Sequence, residues 1–461
     1  MKICKIRIKD FKQFKDIKLD FTHPVTGEPL DKICFIGSNG TGKSTLLNFI
    51  NDFSILQERY PFFDFAQTAK LKFDDTIMSY EILFKIDGNK YYIVYFKGNY
   101  KKNLIFEEKE YENWSKNRDP LDDEMRWEEI SEIINRNVSN QLKNIFTENK
   151  PNLITYSPSE TAQNKYIQIE DVPQTTLNKS LEILGNLPIY NEVSSQSVDT
   201  FWSVLVALIK ERENERADFE TFPQNLDKSK RQLIEEFDKD HPKIMDKLGE
   251  IWNKILAKAN LELDTEGVKN PIQLTDNLKA YIRTKDTKER INYNQLSTGI
   301  RNFIFRIGHI YSLYFNREIK RAFLLVDEPE NSLYPDFLFD LMEIYDEIVK
   351  DKNGENNTQM FFATHNPIVA AQFEPYERII LEWTEDGNVT AHKGTAPVGD
   401  DPNDLLEYDF ALKNLMGKKG RAKWAEYVDL KKKLIRTKES AEKMALAEQI
   451  SKIGNDYNFS E

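Results

Sequence analysis

The segment Gly37-Ser38-Asn39-Gly40-Thr41-Gly42-Lys43-Ser44 limits what this chain can fold into more than any other stretch. It fills every fixed position of the pattern G-x-x-x-x-G-K-[ST]. The apolar run Ile33-Cys34-Phe35-Ile36 precedes it, and Thr45-Leu46-Leu47-Asn48-Phe49-Ile50 follows. The order predicts a buried strand, a tight loop and a helix. The glycines let successive backbone N–H groups turn inward around an anion with no Cβ in the way. The helix that follows points its positive dipole end at the same anion. Gly37 to Gly42 and Thr45 are therefore expected to cradle the phosphates of a nucleoside triphosphate. Lys43 should reach the β- and γ-phosphates, and the Ser44 hydroxyl should ligate Mg²⁺.

Length and charge bound the rest. The chain has 461 residues, enough for two or three domains or for one domain with large insertions. No apolar run approaches the ~20 residues that span a bilayer; the longest, Phe201 to Ile209, is interrupted by Ser203. No membrane partner is expected. Met1-Lys2-Ile3-Cys4-Lys5-Ile6-Arg7 alternates apolar and charged residues, a strand pattern and not a leader. Cys4 and Cys34 both sit in apolar strand contexts and fit buried thiols in a reducing cytoplasm. Two cysteines are too few for a four-cysteine zinc site. The net charge of −12 argues against a surface that binds DNA everywhere. Residues 411–461, however, carry 12 Lys/Arg against 7 Asp/Glu. That tail reads either as a solvated amphipathic helix pair or as a surface for nucleic acid or an acidic partner.

Residues 2–20 read as two strands about a turn. Lys70 to Phe73, Ser79 to Lys85 and Tyr91 to Phe96 read as further strands, with Asp87-Gly88 marking a hairpin. Residues 100–150 read as charged short helices, and Asn152 to Tyr156 as a buried strand. From about 195 to 260 the apolar spacing is helical, broken at Pro223 and Pro242. Residues 321–395 return to strand–helix alternation, and 402–461 are helical. In Asp400-Asp401-Pro402-Asn403-Asp404 a metal site is the weaker reading; Asp401 as N-cap, Pro402 at N1 and Asp404 at N3 suffice.

Four downstream elements accompany the phosphate loop. Gln295-Leu296-Ser297-Thr298-Gly299 opens a helical run, and Arg321-Ala322-Phe323-Leu324-Leu325-Val326-Asp327-Glu328 is an apolar strand ending in two acids. Pro329-Glu330-Asn331-Ser332-Leu333-Tyr334-Pro335 follows directly, and Met360-Phe361-Phe362-Ala363-Thr364-His365 is a buried strand ending in histidine. At the end of a central strand, Asp327 can hold Mg²⁺ opposite Ser44. Glu328 can accept a proton from a water that attacks the γ-phosphate. Ser297 and Gly299, at a helix N-terminus, form a second anion site.

In this order the elements resemble an ATP-binding-cassette (ABC-type) ATPase of the SMC/RecF/OLD-like branch. Within that branch Asp-Glu-Pro-Glu-Asn-Ser-Leu-Tyr-Pro and Ala-Thr-His-Asn-Pro are similar to the ATPases that accompany nucleases in bacterial anti-phage systems such as Septu and PARIS. The resemblance covers about 1–160 and 285–395. It implies an α/β fold: an ABC-type phosphate-loop ATPase head with a mixed central sheet, an antiparallel β subdomain, a helical insertion lobe and a helical tail. The expected divisions are 1–160 and 286–395 for the head, 161–285 for the lobe and 396–461 for the tail. It also implies ATP with Mg²⁺, catalysis by Glu328, Lys43 and a switch histidine at His365, and metal contacts from Ser44 and Asp327. Ser297 and Gly299 would contact the γ-phosphate bound to another subunit, so two copies must pair head-to-tail, as a homodimer or within a higher oligomer. Asn331 and Ser332 would run along that interface. Thr298 and Ile300 depart from the usual Leu-Ser-Gly-Gly-Gln. Lys12 matches a basic position near the nucleotide in relatives, or is a solvated turn lysine; Gln163 is the weakest candidate for a metal-contacting glutamine.

Two functions remain open on the sequence. One is an ATPase that controls a separate effector, a nuclease, in prokaryotic defence. The residues after Gly394 read as helices without a nuclease domain, and His23, His241, His309 and His392 are scattered. The other is a RecF-like clamp that holds DNA directly. A transporter subunit fits poorly, given the N-terminal strand pair and long helical insert.

Overall fold

The computed structural model describes residues 1–59, 79–86, 88–96, 102–116, 152–159, 190–194, 198–225, 227–264, 281–291, 295–397, 402–412 and 416–459. Strand β3 (Lys32–Gly37) lies inside the main sheet because Ile33 to Ile36 present apolar side chains to both faces, all of them buried. Its seven strands run in the order β15 (Val389–Lys393), β14 (Arg378–Trp383), β3, β13 (Thr358–Thr364), β12 (Arg321–Asp327), β7 (Asn152–Ser157), β8 (Tyr190–Glu192). Every neighbouring pair is parallel except β14 and β15. Burial on both faces is what a parallel sheet demands, and β13 is buried at each of its positions. Helix α1 (Lys43–Arg59) leaves the loop after β3 and packs on this sheet.

An antiparallel sheet ordered β2 (Phe14–Asp20), β1 (Lys2–Phe11), β4 (Ser79–Ile86), β5 (Asn89–Phe96), β6 (Lys102–Glu107) shares its core with the first. Phe21 meets Phe361 edge-on at 5.5 Å and Phe35 at 6.0 Å between ring centroids. The buried carboxamide of Gln359 accepts from the Ile3 N–H at 2.7 Å and donates to the carbonyls of Ile3 (2.8 Å) and Leu30 (3.0 Å). One polar side chain thus ties β1 to β13 while satisfying backbone groups that burial would otherwise strand. Cys4 and Cys34 are free and buried, and burial pushes the Cys4 thiol up to about 11.

The expectation of a helical lobe at 161–285 leaves out short strands that this stretch also contains. Helices α3 (Val198–Thr221), α4 (Lys230–Asp240) and α5 (Ile244–Leu256) fulfil it; α2 is Glu108–Ser115. Tyr190–Glu192, however, is the edge strand β8 of the main sheet. Strands β9 (Leu261–Asp264), β10 (Tyr281–Thr284) and β11 (Arg290–Ile291) form a separate antiparallel sheet. Strands of two to four residues are too short to carry a periodic signal; β10 is held by its pairing with β9 and β11, and its Arg283 also meets Glu262 and Asp264. Helix α6 (Thr298–Tyr314) is buried along most of its length. The Phe201 ring of α3 lies against Phe305 (5.8 Å) and His309 (5.6 Å) of α6, where burial lowers the His309 imidazole to about 3. Short helices α7 (Pro335–Leu338), α8 (Leu341–Ile348) and α9 (Pro367–Ala370) complete the unit Met1–Gly399.

The second unit, Asp400–Glu461, contains α10 (Pro402–Tyr408), α11 (Lys418–Arg436) and α12 (Ser440–Tyr457). Helix α10 begins at Pro402 with Asp404 in its first turn. Trp424 and Tyr427 of α11 close on Phe459 at 5.1 and 5.5 Å, a small aromatic cluster holding the α11–α12 hairpin. The strand expected at Lys70–Phe73, the residues Gln163, Asp400 and Asp401, and most of 100–150 lie outside the described residues. Among the described residues no helix is long and apolar enough to cross a membrane.

Candidate nucleotide site

Gly37 closes β3, and Ser38 to Gly42 turn the chain into α1, whose first residue is Lys43. The turn depends on Gly42, which has φ +100° and a missing Cβ that would collide with Phe14 and Gln13. Thr41 is buried and donates its hydroxyl to the Ser38 carbonyl at 2.9 Å. The first-turn N–H groups of α1 have no partners within the helix and face the loop, the arrangement that binds anions.

The Lys43 side chain folds back over this loop. Its ammonium donates to the carbonyls of Gly37 (2.7 Å) and Ser38 (3.1 Å). Burial lowers its pKa, against the upward pull of Asp327, Glu328 and Glu330. Asn39, Gly40, Gly42, Lys43, Ser44 and Thr45 line one open cleft together with Glu328 and His365, of about 620 Å³. The phosphate loop and the two strand-end residues, far apart in sequence, thus share one space.

The sheet explains this meeting. β12 and β13 are parallel neighbours, with Asp327 level with Ala363, so both strands deliver their C-terminal residues to the edge where the loop after β3 emerges. Asp327 is buried and accepts a hydrogen bond from Ser44; burial raises its pKa, which this bond and Lys43 oppose. Glu328 adopts φ +47° and donates its N–H to the Ala363 carbonyl at 2.9 Å. Its carboxylate lies 3.3 Å from His365 Nε2. The imidazole pKa is lowered, chiefly by burial and then by Lys43, with Glu328 opposing. The net effect favours the neutral form of the imidazole. Ser44 and Asp327 offer a hydroxyl and a carboxylate beside the loop; a Mg²⁺ ion takes one or two such oxygens and completes its shell with water and phosphate oxygens, so this pair fits it.

Two further residues shape the site that motif reasoning missed. Arg306, buried in α6, donates to the carbonyls of Glu328 (2.9 Å), Pro158 (3.1 Å) and Asp327 (3.5 Å). Glu330 accepts from the Thr364 hydroxyl at 2.6 Å and from the His365 N–H at 3.1 Å. Nothing in the local sequence marks an arginine within an otherwise apolar helix as a backbone clamp.

Ser297 and Gly299 stand apart from this group. Neither lines the cleft. Ser297 is exposed and N-caps α6, accepting from the Ile300 N–H at 3.3 Å. Gly299 is buried, and a Cβ there would run into the Ser332 carbonyl. Helix α6 therefore touches the loop after β12 through a contact only glycine permits. Asn331 donates to the Ser159 carbonyl at 2.9 Å, and Ser332 to Asn331 at 3.0 Å. Lys12 is exposed in a turn with φ +52°, over the Phe11 ring; Gln13 is the turn residue that bonds the loop, at the Gly40 carbonyl.

A family model described as the AAA ATPase domain matches residues 1–370, which hold every element of this cleft. The chain belongs to the AAA ATPase domain family. Among solved structures, the SMC head domain from Thermotoga maritima is similar at 12% identity and a TM-score of 0.39, covering 86% of this chain and 100% of that one. No curated protein matches the sequence. In this ATPase domain the cleft gathers the phosphate loop, Glu328 and His365, whereas Ser297 and Gly299 do not line it.

Proposed function

We propose that the chain binds and hydrolyses ATP in this cleft, that two copies close head-to-tail on the nucleotide, and that closure controls a separate effector. The observation that carries the hydrolytic reading is the shared cleft: Glu328 and His365, 3.3 Å apart, face the loop that holds Lys43 and Ser44. With triphosphate present, the Lys43 ammonium leaves the loop carbonyls for phosphate oxygens, a stronger charge-assisted bond. Ser44 and Asp327 would hold Mg²⁺, which would supply positive charge to offset that building on the phosphate oxygens. Glu328 accepts the proton of the attacking water. Neutral His365 donates from its ring to the γ-phosphate and fixes the water in line.

The dimer reading is supported by the position of the helix start at Ser297. Ser297 and Gly299 offer a helix N-terminus, yet sit outside the cleft of their own chain. A second copy turned about a two-fold axis brings them to the exposed mouth. The effector is inferred to be a nuclease of a prokaryotic anti-phage system, on the similarity of the segments around Asp327 and His365 to such ATPases. The alternative, direct DNA clamping, is favoured by the basic run Lys431-Lys432-Lys433 with Arg436 in α11. A binding titration separates the two. The purified chain is expected to leave duplex DNA unbound at physiological salt and to co-purify from its native host with a nuclease. Tight duplex binding that weakens steeply with salt would overturn the effector reading in favour of the clamp.

A further inference from the structure

We propose that Glu330 is the positioning residue of this site: its carboxylate holds His365 in register with Glu328 and so sets the pair against the phosphate loop. The proposal rests on reading the cleft as an ATPase centre.

Two segments meet at the cleft, 328–330 after β12 and 363–365 at the end of β13. They are tied by bonds running in opposite directions. The Glu328 N–H donates to the Ala363 carbonyl at 2.9 Å. The His365 N–H donates back to Glu330 Oε1 at 3.1 Å, and the same oxygen takes the Thr364 hydroxyl at 2.6 Å. The Thr364 oxygen in turn accepts from the Asn366 N–H at 2.9 Å. The strand end and the acid loop are thereby locked to each other, and the 3.3 Å approach of His365 to Glu328 follows from that lock.

The arrangement is costly, which argues for a purpose beyond packing. Glu330 is held in a buried setting that raises its carboxyl pKa, and Oε2 has no hydrogen-bond partner among the described residues. A buried acceptor left unpaired is unfavourable, and an apolar side chain would fill the space without that cost. An apolar side chain could not accept from His365. The loop around Glu330 is also strained, with Glu328 at φ +47° and Ser332 at φ +63°. Such backbone persists only where its surroundings over-determine it. Arg306 on the Glu328 carbonyl, Asn331 on Ser159 and Glu330 on the β13 terminus supply that determination.

Steady-state ATP hydrolysis and equilibrium ATP binding should be measured for Glu330→Ala, Glu330→Gln, His365→Ala and the Glu330→Ala/His365→Ala pair. Glu330→Ala is expected to lower kcat about tenfold or more while the Kd for ATP stays within about threefold, the pattern of lost alignment and not of lost binding. The amide oxygen of Glu330→Gln can accept the same two bonds and should restore kcat to within about threefold of the parent. In the His365→Ala background, Glu330→Ala should cost less than about twofold more, because a residue that acts through His365 has nothing left to align. Parent-like turnover in Glu330→Ala, failure of Glu330→Gln to restore it, or multiplying effects in the double variant would each overturn the proposal. If Glu330→Ala does not fold, Thr364→Val removes one donor from the lock: a lowered kcat at unchanged Kd is expected, and unchanged kcat overturns it. Absence of hydrolysis in the parent chain would instead overturn the ATPase reading itself.

Discussion

Lys43→Ala is expected to weaken ATP binding by about 10- to 100-fold and to remove detectable hydrolysis. The magnitude follows from losing one hydrogen bond to a charged group, worth roughly 1.5–3 kcal/mol, at about 1.4 kcal/mol per tenfold. The loss is specific to phosphate because the ammonium is already inside the loop, on the carbonyls of Gly37 and Ser38. Its removal also leaves the carboxylates of Asp327, Glu328 and Glu330, which all act on Lys43, without the cation they share. An incoming triphosphate then meets negative charge where it met positive. Fold stability should move less than binding, since the desolvation cost of the buried ammonium disappears with its attractions. Isothermal titration with ATP, beside thermal unfolding without it, reads both quantities. Binding as tight as that of the parent chain would remove Lys43 from the site.

Glu328→Gln is expected to show the opposite split: ATP is bound, and hydrolysis falls by about 10²- to 10⁴-fold, the range for losing a general base. The amide is nearly the same shape and keeps an oxygen near His365, but it cannot accept a proton from water. Binding should hold or tighten slightly, because one negative charge beside the incoming phosphates is gone. Phosphate release under single-turnover conditions isolates this step from product release. Unchanged turnover would assign the base elsewhere, and Asp327 is poorly placed for that work, buried and bonded to Ser44.

Most of this cleft was legible in the sequence, for a physical reason. A parallel strand buried on both faces must be a continuous apolar run, and such a run ending in Asp327-Glu328 or in Thr364-His365 has nowhere to place its polar end but the sheet edge. Gly37 to Ser44 announce themselves because backbone turned inward on an anion tolerates few side chains. The parts that were not legible depend on distant partners. Arg306 looks like an interruption in the apolar face of α6, and its role exists only once β12 brings the Asp327 and Glu328 carbonyls to it. Glu330 reads as one acid in an acidic loop until Thr364 and His365 arrive 34 and 35 positions later. β8 and the sheet β9–β11 escaped because strands this short take their identity from neighbours. Ser297 was legible as a helix start, and its local role is that of an N-cap; the part in hydrolysis proposed for it would be played between two chains.

Complementation between two inactive variants tests that last point, and with it the central claim of a site that one chain cannot finish. Lys43→Ala disables the phosphate loop, and Ser297→Arg blocks the helix start of the partner-facing side; neither alone should hydrolyse ATP. In an equal mixture, half of randomly paired dimers hold one intact site, built from the loop of one chain and the Ser297 of the other. The account predicts recovery of roughly a quarter of the parent activity per chain, growing with protein concentration. Activity that stays at the level of the separate variants, at concentrations where the parent chain is dimeric, would contradict it.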